Sequence, residues 1–380
     1  KYIDYYLDGC PDCGGHLELD YEDPRILQQH DFVPTPTIIT EHRSLGCWCE
    51  SCQKTHYVPI PEDVRRAGLV GPRLTALVAY LKGACHCSFT TIRKFIRDVV
   101  GVKISRGHLR KVCAKVGDSL DAAYEQLLHL LPDEDQVNVD ETGHKDNGKR
   151  MWTWCFRASL YTLFKIDASR GSQVLVDVLG NEFAGVLGCD YFGAYRKYMT
   201  DFNVLIQFCL AHLIRDVKFL VNHPNAKNQR YGTRVLKSLR DMFHVIHRRE
   251  TMTPSGFERR LEETGQDLLW QATHYVPSTR EAKNLARRFE NHGESYIQFI
   301  TTPDIDPTNN IAEQAIRFVV IDRHVTQGSR SEAGQRWLER IWTTIATCTQ
   351  QGRSVFDSLV ESVGAHFSGN DSPSLIIDTS

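Results

Sequence analysis

The sequence predicts an α/β protein in which a mixed sheet flanked by helices follows two smaller modules, one cysteine-bearing and one helical. Three observations carry this prediction. Residues 136–208 read as three strands, a helix, a strand, a helix and a strand. Residues 72–131 and most of 211–367 repeat apolar side chains at three- and four-residue intervals, the period of a helix packed on one face. Residues 1–60 instead carry short extended runs, prolines, aromatics and two Cys-x-x-Cys pairs. At 380 residues the chain exceeds one ordinary core, so several domains are expected.

The composition, 41% hydrophobic and 24% charged, excludes a disordered or fibrous chain. Its longest apolar runs, such as Val174–Leu179 and Val204–Leu210, fall far short of the ~18 residues that cross a bilayer. Lys1–Tyr6 has no apolar signal region, which points to a cytoplasmic protein with no membrane partner. In that setting the 12 cysteines read as metal ligands or buried thiols rather than as a disulfide framework. The net charge of −2 decides nothing, but its distribution does. Between Thr91 and Lys115 eight basic residues face one acid, and Leu205–Glu294 carries a net +5. Acids gather around Asp133–Asp146. Basic segments flanking an acidic centre suit a protein that grips phosphates around a metal site.

In the first module, residues 1–60, Cys10-Pro-Asp-Cys13 and Cys49-Glu-Ser-Cys52 form two knuckles. Each supplies two sulfurs at the bite a tetrahedral zinc needs, so Cys10, Cys13, Cys49 and Cys52 are expected to hold one structural zinc ion in a zinc ribbon. Cys47, His16, His42 and His56 are alternative ligands, and scattered buried thiols or a redox pair the competing reading. Pro59 and Pro61 close the module.

The second module, residues 70–131, opens with Pro72 at the start of a helix. Ser88 or Thr90 caps the next helix, which ends at Gly101; Ser105 caps a third, long one running through Leu127–Leu128. The pair joined by Gly101-Val-Lys-Ile has the length of a helix-turn-helix. Arg93, Lys94, Arg106, Arg110, Lys111 and Lys115 are its candidate DNA contacts; a three-helix bundle with a basic outer face is the alternative. Cys85 and Cys87 read as packing residues.

The third domain, residues 132–367, starts with a short strand, Gln136–Glu141. Alternation puts Asp140 on one face with Asn138, and Val139 and Glu141 on the other. Asp190 ends the apolar strand Gly185–Asp190, where α/β sheets place their chemistry. Glu313 lies one turn into the helix that opens at Asp306-Pro-Thr-Asn-Asn310, i, i+4 from Arg317, and the two could equally form a surface ion pair. A buried carboxylate needs a partner. Three of them, on a strand, a later strand end and a distal helix, build a pocket of hard oxygen ligands suited to Mg²⁺. Two ions ~3.5–4 Å apart would stabilise the attacking and leaving oxygens of a phosphodiester displacement. Residues 368–380 form a polar tail.

At these residues the sequence closely resembles the insertion-sequence family sixty-six of bacterial transposases, the TnpC type of the DDE superfamily, which have a ribonuclease H-like core. The resemblance rests on Val139-Asp-Glu-Thr-Gly143, Asn147-Gly-Lys-Arg150 and Gly185-Val-Leu-Gly-Cys-Asp-Tyr-Phe-Gly-Ala-Tyr195. Cys209-Leu-Ala-His-Leu-Ile-Arg-Asp216, Asn309-Asn-Ile-Ala-Glu-Gln-Ala-Ile-Arg317, Gly328-Ser-Arg-Ser-Glu-Ala-Gly334 and Ile345-Ala-Thr-Cys-Thr-Gln-Gln-Gly-Arg353 complete it. It implies that Asp140, Asp190 and Glu313 are the DDE ligands of two Mg (or Mn) ions, with Asp140 bridging them. The third domain would be a ribonuclease H-like catalytic domain with a helical insertion at about 221–302. Cys209 and His212 match a C-x-x-H signature, expected to serve a structural or substrate-contact role near the active site, with a zinc or DNA-positioning function as the alternative. The partners implied are double-stranded DNA, at element ends and at the target, and further copies of the chain on that DNA; the address is the bacterial cytoplasm, on the nucleoid. A catalytically silent, domesticated DNA-binding regulator is the alternative, and a nuclease without transfer activity the third reading. Two features depart from the family pattern: no leucine-zipper-like segment precedes the cysteines, and His144 replaces an aromatic.

Overall fold

The computed structural model describes residues 7–8, 10–17 and 36–376. Residues 18–35, inside the predicted zinc-ribbon module, lie outside the described residues. What is described there includes an antiparallel hairpin of β1 (Gly46–Cys49) and β2 (Lys54–Tyr57), with Cys49 ending the first strand and Cys52 in the turn.

The helical module forms where its caps predict. Pro72 occupies the first turn of the helix Pro72–Gly83. Ser88 Oγ accepts the Thr91 N–H at 3.0 Å and starts Phe89–Phe95, which continues as a π-helical turn, Ile96–Val100. Gly101, at φ +78°, stops it in the left-handed conformation. Ser105 Oγ then accepts the His108 N–H at 3.1 Å and starts Arg106–Ser119. Here the predicted long helix divides. The Ser119 hydroxyl donates back to the Val116 carbonyl, Leu120 relaxes to ψ −3°, and a separate helix, Asp121–Leu130, follows. Val78, Ile92, Ile96, Leu109, Val112 and Cys113 make the core of the module. Cys87 packs against it, but Cys85 does not: it is exposed, in the loop where His86 reverses the chain at φ +54°.

The sheet follows as β3 (Gln136–Asp146), β4 (Lys149–Arg157), β5 (Thr162–Asp167), β6 (Val186–Cys189) and β7 (Leu205–Phe208), in the order β5-β4-β3-β6-β7. The first three are antiparallel neighbours; β6 and β7 run parallel to β3. Helices Gln173–Leu179 and Gly193–Phe202 make the crossovers. β3 is nearly twice its predicted length. Asn147 and Gly148, both at positive φ, form a two-residue turn that pairs Asp146 with Lys149 and carries the ladder through the polar run Thr142–Asp146.

The pleat divides the sheet's side chains between two cores. Val137, Val139, Trp154, Phe156 and Leu163 join one, shared with helices Leu210–Val221, Ala226–His247, Pro254–Thr273 and Arg280–His292. Cys155, Phe164 and Ile166 join the other, under Pro72–Gly83, Asn310–Thr326, Glu332–Gln350 and Val355–Ser368. Among the described residues no helix is long and apolar enough to cross a membrane.

The outer strand β5 ends against side chains. Along β5, the N–H groups of Thr162, Phe164 and Ile166 donate to Thr347 Oγ1, Thr343 Oγ1 and Glu339 Oε1 at 3.2, 3.0 and 2.6 Å. Every second residue of a strand advances about 6.7 Å and every fourth residue of a helix about 6 Å, so one helix face can serve all three donors. On β7, the buried Gln207 accepts from the Phe299 N–H and donates to the Tyr296 carbonyl. Thr343→Val keeps the shape but leaves the Phe164 N–H buried and unpaired. The expected loss of unfolding free energy is about 1–3 kcal/mol, read from a shifted urea midpoint at unchanged m.

Candidate catalytic carboxylate site

Asn138 pairs with Gly188 across the parallel β3–β6 ladder, so Asp140 and Asp190 lie two residues further along adjacent strands. The approach is close enough that a Cβ on Gly188 would sit 2.3 Å from Asn138 Nδ2. Asp190 follows the last residue of β6, and its Oδ1 accepts the Phe192 N–H at 2.8 Å. Asp140 Oδ1 accepts the Glu141 N–H at 2.9 Å.

Glu313 reaches the same place from the other end of the chain, and Asn309 brings it there. The buried Asn138 amide donates to Asn309 Oδ1 at 2.9 Å, Asn309 Nδ2 donates to the Val139 carbonyl at 2.8 Å, and the Asn309 N–H donates to Cys209 Sγ at 3.1 Å. Cys209 in turn donates its N–H to the Cys189 carbonyl, beside Asp190. One residue at the start of the Glu313 helix thus registers it against both strands that bear the aspartates. Sequence reading missed Asn309; its Asn309-Asn310 setting before an acidic first turn was the available signal.

Glu141, adjacent to Asp140, has partners of its own. Its side chain is buried, ion-paired to Arg170 at 2.7 Å, and accepts the Tyr195 hydroxyl. Arg170 packs over the rings of Trp152 and Phe192. Burial, then Glu141, and more weakly Asp190 and Glu313, push the Asp140 carboxyl up to about 7, against the pull of the Glu141 N–H. Glu313 Oε1 is buried without a hydrogen-bond partner. Among the described residues no lysine or arginine forms an ion pair with Asp140, Asp190 or Glu313, and Glu313 faces His212 rather than Arg317. Hard oxygens and like charges without a lysine or arginine counter-ion fit divalent cations of the magnesium class.

The tightest ligand group among the described residues is a different one: Cys209, His212 and Glu313, one atom from each within 4.8 Å of the others. The three acids do not form a group that compact; ligands shared between two ions ~3.5–4 Å apart are spread more widely. Burial raises the Cys209 thiol, and the N–H groups of Asn309, His212 and Ala211 oppose it.

The knuckle cysteines stand apart from this site. The N–H groups of Asp12 and then Cys13 hold the Cys10 thiol below its usual range, and those of Cys52 and Ser51 lower Cys49. Among the described residues no three-ligand group unites the two pairs. Cys52 Sγ lies 3.3 Å from His56 Nε2. In the helical module Arg93, Lys94, Arg106, Arg110 and Lys111 are exposed. Lys115 turns inward: its ammonium donates to the Arg66 and Ala67 carbonyls at the end of the helix Glu62–Ala67 and lies over Phe367.

No curated protein matches the chain. The model of the Transposase IS66 family matches residues 67–336, which span the helical module, the whole sheet and all three acids. The matched stretch is well over half the chain, and the protein belongs to the IS66 family of transposases, enzymes that process nucleic acid.

Proposed function

We propose that the protein is a DDE-type DNA transposase with a ribonuclease H-like catalytic domain, and that Asp140, Asp190 and Glu313 are its catalytic residues. The observation that carries this reading is the meeting of β3, the end of β6 and the helix Asn310–Thr326 at three carboxylates that, among the described residues, no lysine or arginine pairs with. The antiparallel trio extended by two parallel crossovers supports the fold assignment.

The reaction is phosphoryl transfer in two steps. Water's oxygen bonds to phosphorus at the element's end as the bond to the 3′-oxygen breaks, leaving a 3′-hydroxyl. That hydroxyl then displaces a 3′-oxygen at a target phosphodiester, joining the ends. Two bound magnesium or manganese ions would supply activation of the attacking oxygen and neutralisation of charge on the leaving one. The chain's own work is placement. Asp140, Asp190 and Glu313 hold the charge centre, Asn309 keeps it in register, and Arg170 pairs with the neighbouring Glu141. No side-chain nucleophile is required.

DNA is gripped by the helical module through Arg93, Lys94, Arg106, Arg110 and Lys111, while Lys115 supports the module itself. Lys111→Ala is therefore expected to weaken duplex binding and reduce the salt slope by about 1, whereas Lys115→Ala lowers the melting temperature; titrations at several salt concentrations, paired with thermal melts, check both. A zinc ribbon built on Cys10, Cys13, Cys49 and Cys52, assembly of several copies on DNA, and a nucleoid-associated cytoplasmic location complete the proposal. The decisive assay is Mg²⁺-dependent nicking of duplex DNA carrying the element's end, followed by joining of the new 3′-hydroxyl to target DNA. Binding without nicking would make the chain a regulator; nicking without joining would make it a nuclease.

A further inference from the structure

The Cys-x-x-His pair is the motif to which strand cleavage assigns no task. Cys209 precedes the helix Leu210–Val221 and His212 lies in its first turn, so both present side chains to one side. The helix Asn310–Thr326 brings Glu313 to meet them, and one atom from each residue lies within 4.8 Å of the other two. His212 Nδ1 and Glu313 Oε1 are 3.2 Å apart. Both atoms are sealed from solvent, yet they are not aligned as a hydrogen bond and neither has another partner. Two buried polar atoms this close, neither bonded to the other, share one neighbourhood with the Cys209 sulfur. Tetrahedral zinc, with Zn–N and Zn–O bonds of about 2.0–2.2 Å, separates its nitrogen and oxygen ligands by about 3.3 Å.

We propose that Cys209, His212 and Glu313 bind a divalent cation of the zinc class, distinct from the magnesium-class ions of the aspartates and from any ion held by the knuckle cysteines. The donor set selects the metal. A thiolate and an imidazole suit zinc, while magnesium takes oxygen ligands and dehydrates reluctantly. On binding, the Cys209 S–H bond breaks, its electron pair becomes the S–Zn bond and the proton leaves to solvent. Three protein ligands leave a fourth position for water or a phosphate oxygen. The Asn309 N–H already donates to the sulfur, as an outer partner of a metal thiolate does. Because this rests on Glu313 belonging to the catalytic group, the ion's task is to fix one carboxylate oxygen of Glu313 and leave the other for the magnesium-class site.

The test measures zinc bound per full-length chain after equilibration with Zn²⁺ and removal of loose metal, with melting temperatures taken alongside. His212→Ala is the main variant, since its side chain is about a third exposed and its loss spares the core. It should weaken zinc binding by more than about 100-fold, beyond the cost of losing an outer partner, and so cost one zinc per chain, as should Cys209→Ser. Asp140→Asn should lose none, and Cys10→Ser/Cys13→Ser should subtract independently of His212→Ala. Unchanged zinc content in folded His212→Ala overturns the proposal, as does a loss confined to Cys209→Ser. Should Asp140→Asn keep its strand-cleavage activity, the catalytic assignment fails while the zinc count stands on its own.

Discussion

Asp140→Asn is expected to lower Mg²⁺-dependent strand cleavage by at least about 10³-fold, at the upper end of what losing one preorganised electrostatic group costs, with duplex binding unchanged. The same substitution should make the metal-free protein more stable at alkaline pH. In the folded chain Asp140 keeps its proton up to about 7, whereas in the unfolded chain it releases it near 3.9. Between these values the folded state binds more protons, so wild-type stability falls as pH rises through that window. Asparagine cannot ionise and escapes the fall. At pH 8 in chelator the variant should exceed wild type by up to about 4 kcal/mol, the equivalent of three pKa units, and millimolar Mg²⁺ should narrow the gap. Thermal melts at pH 5 and pH 8, with and without Mg²⁺, read the stability arm. Cleavage within tenfold of wild type would remove Asp140 from the catalytic set.

Asn309→Ala is expected to cost about 2–6 kcal/mol, because it strands two buried groups, the Asn138 amide and the Val139 carbonyl, at about 1–3 kcal/mol each. Its effect on cleavage should be separable from that loss. With the Glu313 helix free to shift by an ångström, folded enzyme should cleave about 10²-fold more slowly. Asn309→Asp keeps the acceptor for Asn138, loses the donor to Val139 and adds charge near Asp140, so it should restore part of the stability and little of the rate. Urea titration and single-turnover cleavage under native conditions measure the two arms. A variant that is destabilised yet cleaves at full speed would show that Asn309 holds the fold without registering the acids.

Local signals in the sequence were sufficient where the physics is local. Ser88, Ser105 and Gly101 start and stop their helices as caps should, because each works on neighbours within one turn. Alternation along Val137–Glu141 placed Asp140 opposite the core valines, and the structure puts Asn138 on the face that meets Asn309. Three things needed the folded chain. β3 runs on through Thr142–Asp146 because the Asn147-Gly148 turn enforces pairing where no apolar pattern announces it. Asn309 bonds to a partner 171 residues away, a distance at which no spacing rule operates. Lys115 carries the same charge as its neighbours but points at two carbonyls; a count of basic residues gives sign and not direction.

The sealing of the sheet's β5 border bears on the proposed assembly of several copies of the chain on one DNA molecule. A bare outer strand is a template for another chain, and the hazard grows with crowding. Proteins concentrated on a single duplex are crowded by design. With the β5 donors taken by Thr347, Thr343 and Glu339, backbone-to-backbone zippering between molecules is closed off along that border. Any association there must run through side-chain surfaces, which can separate again once the DNA is released.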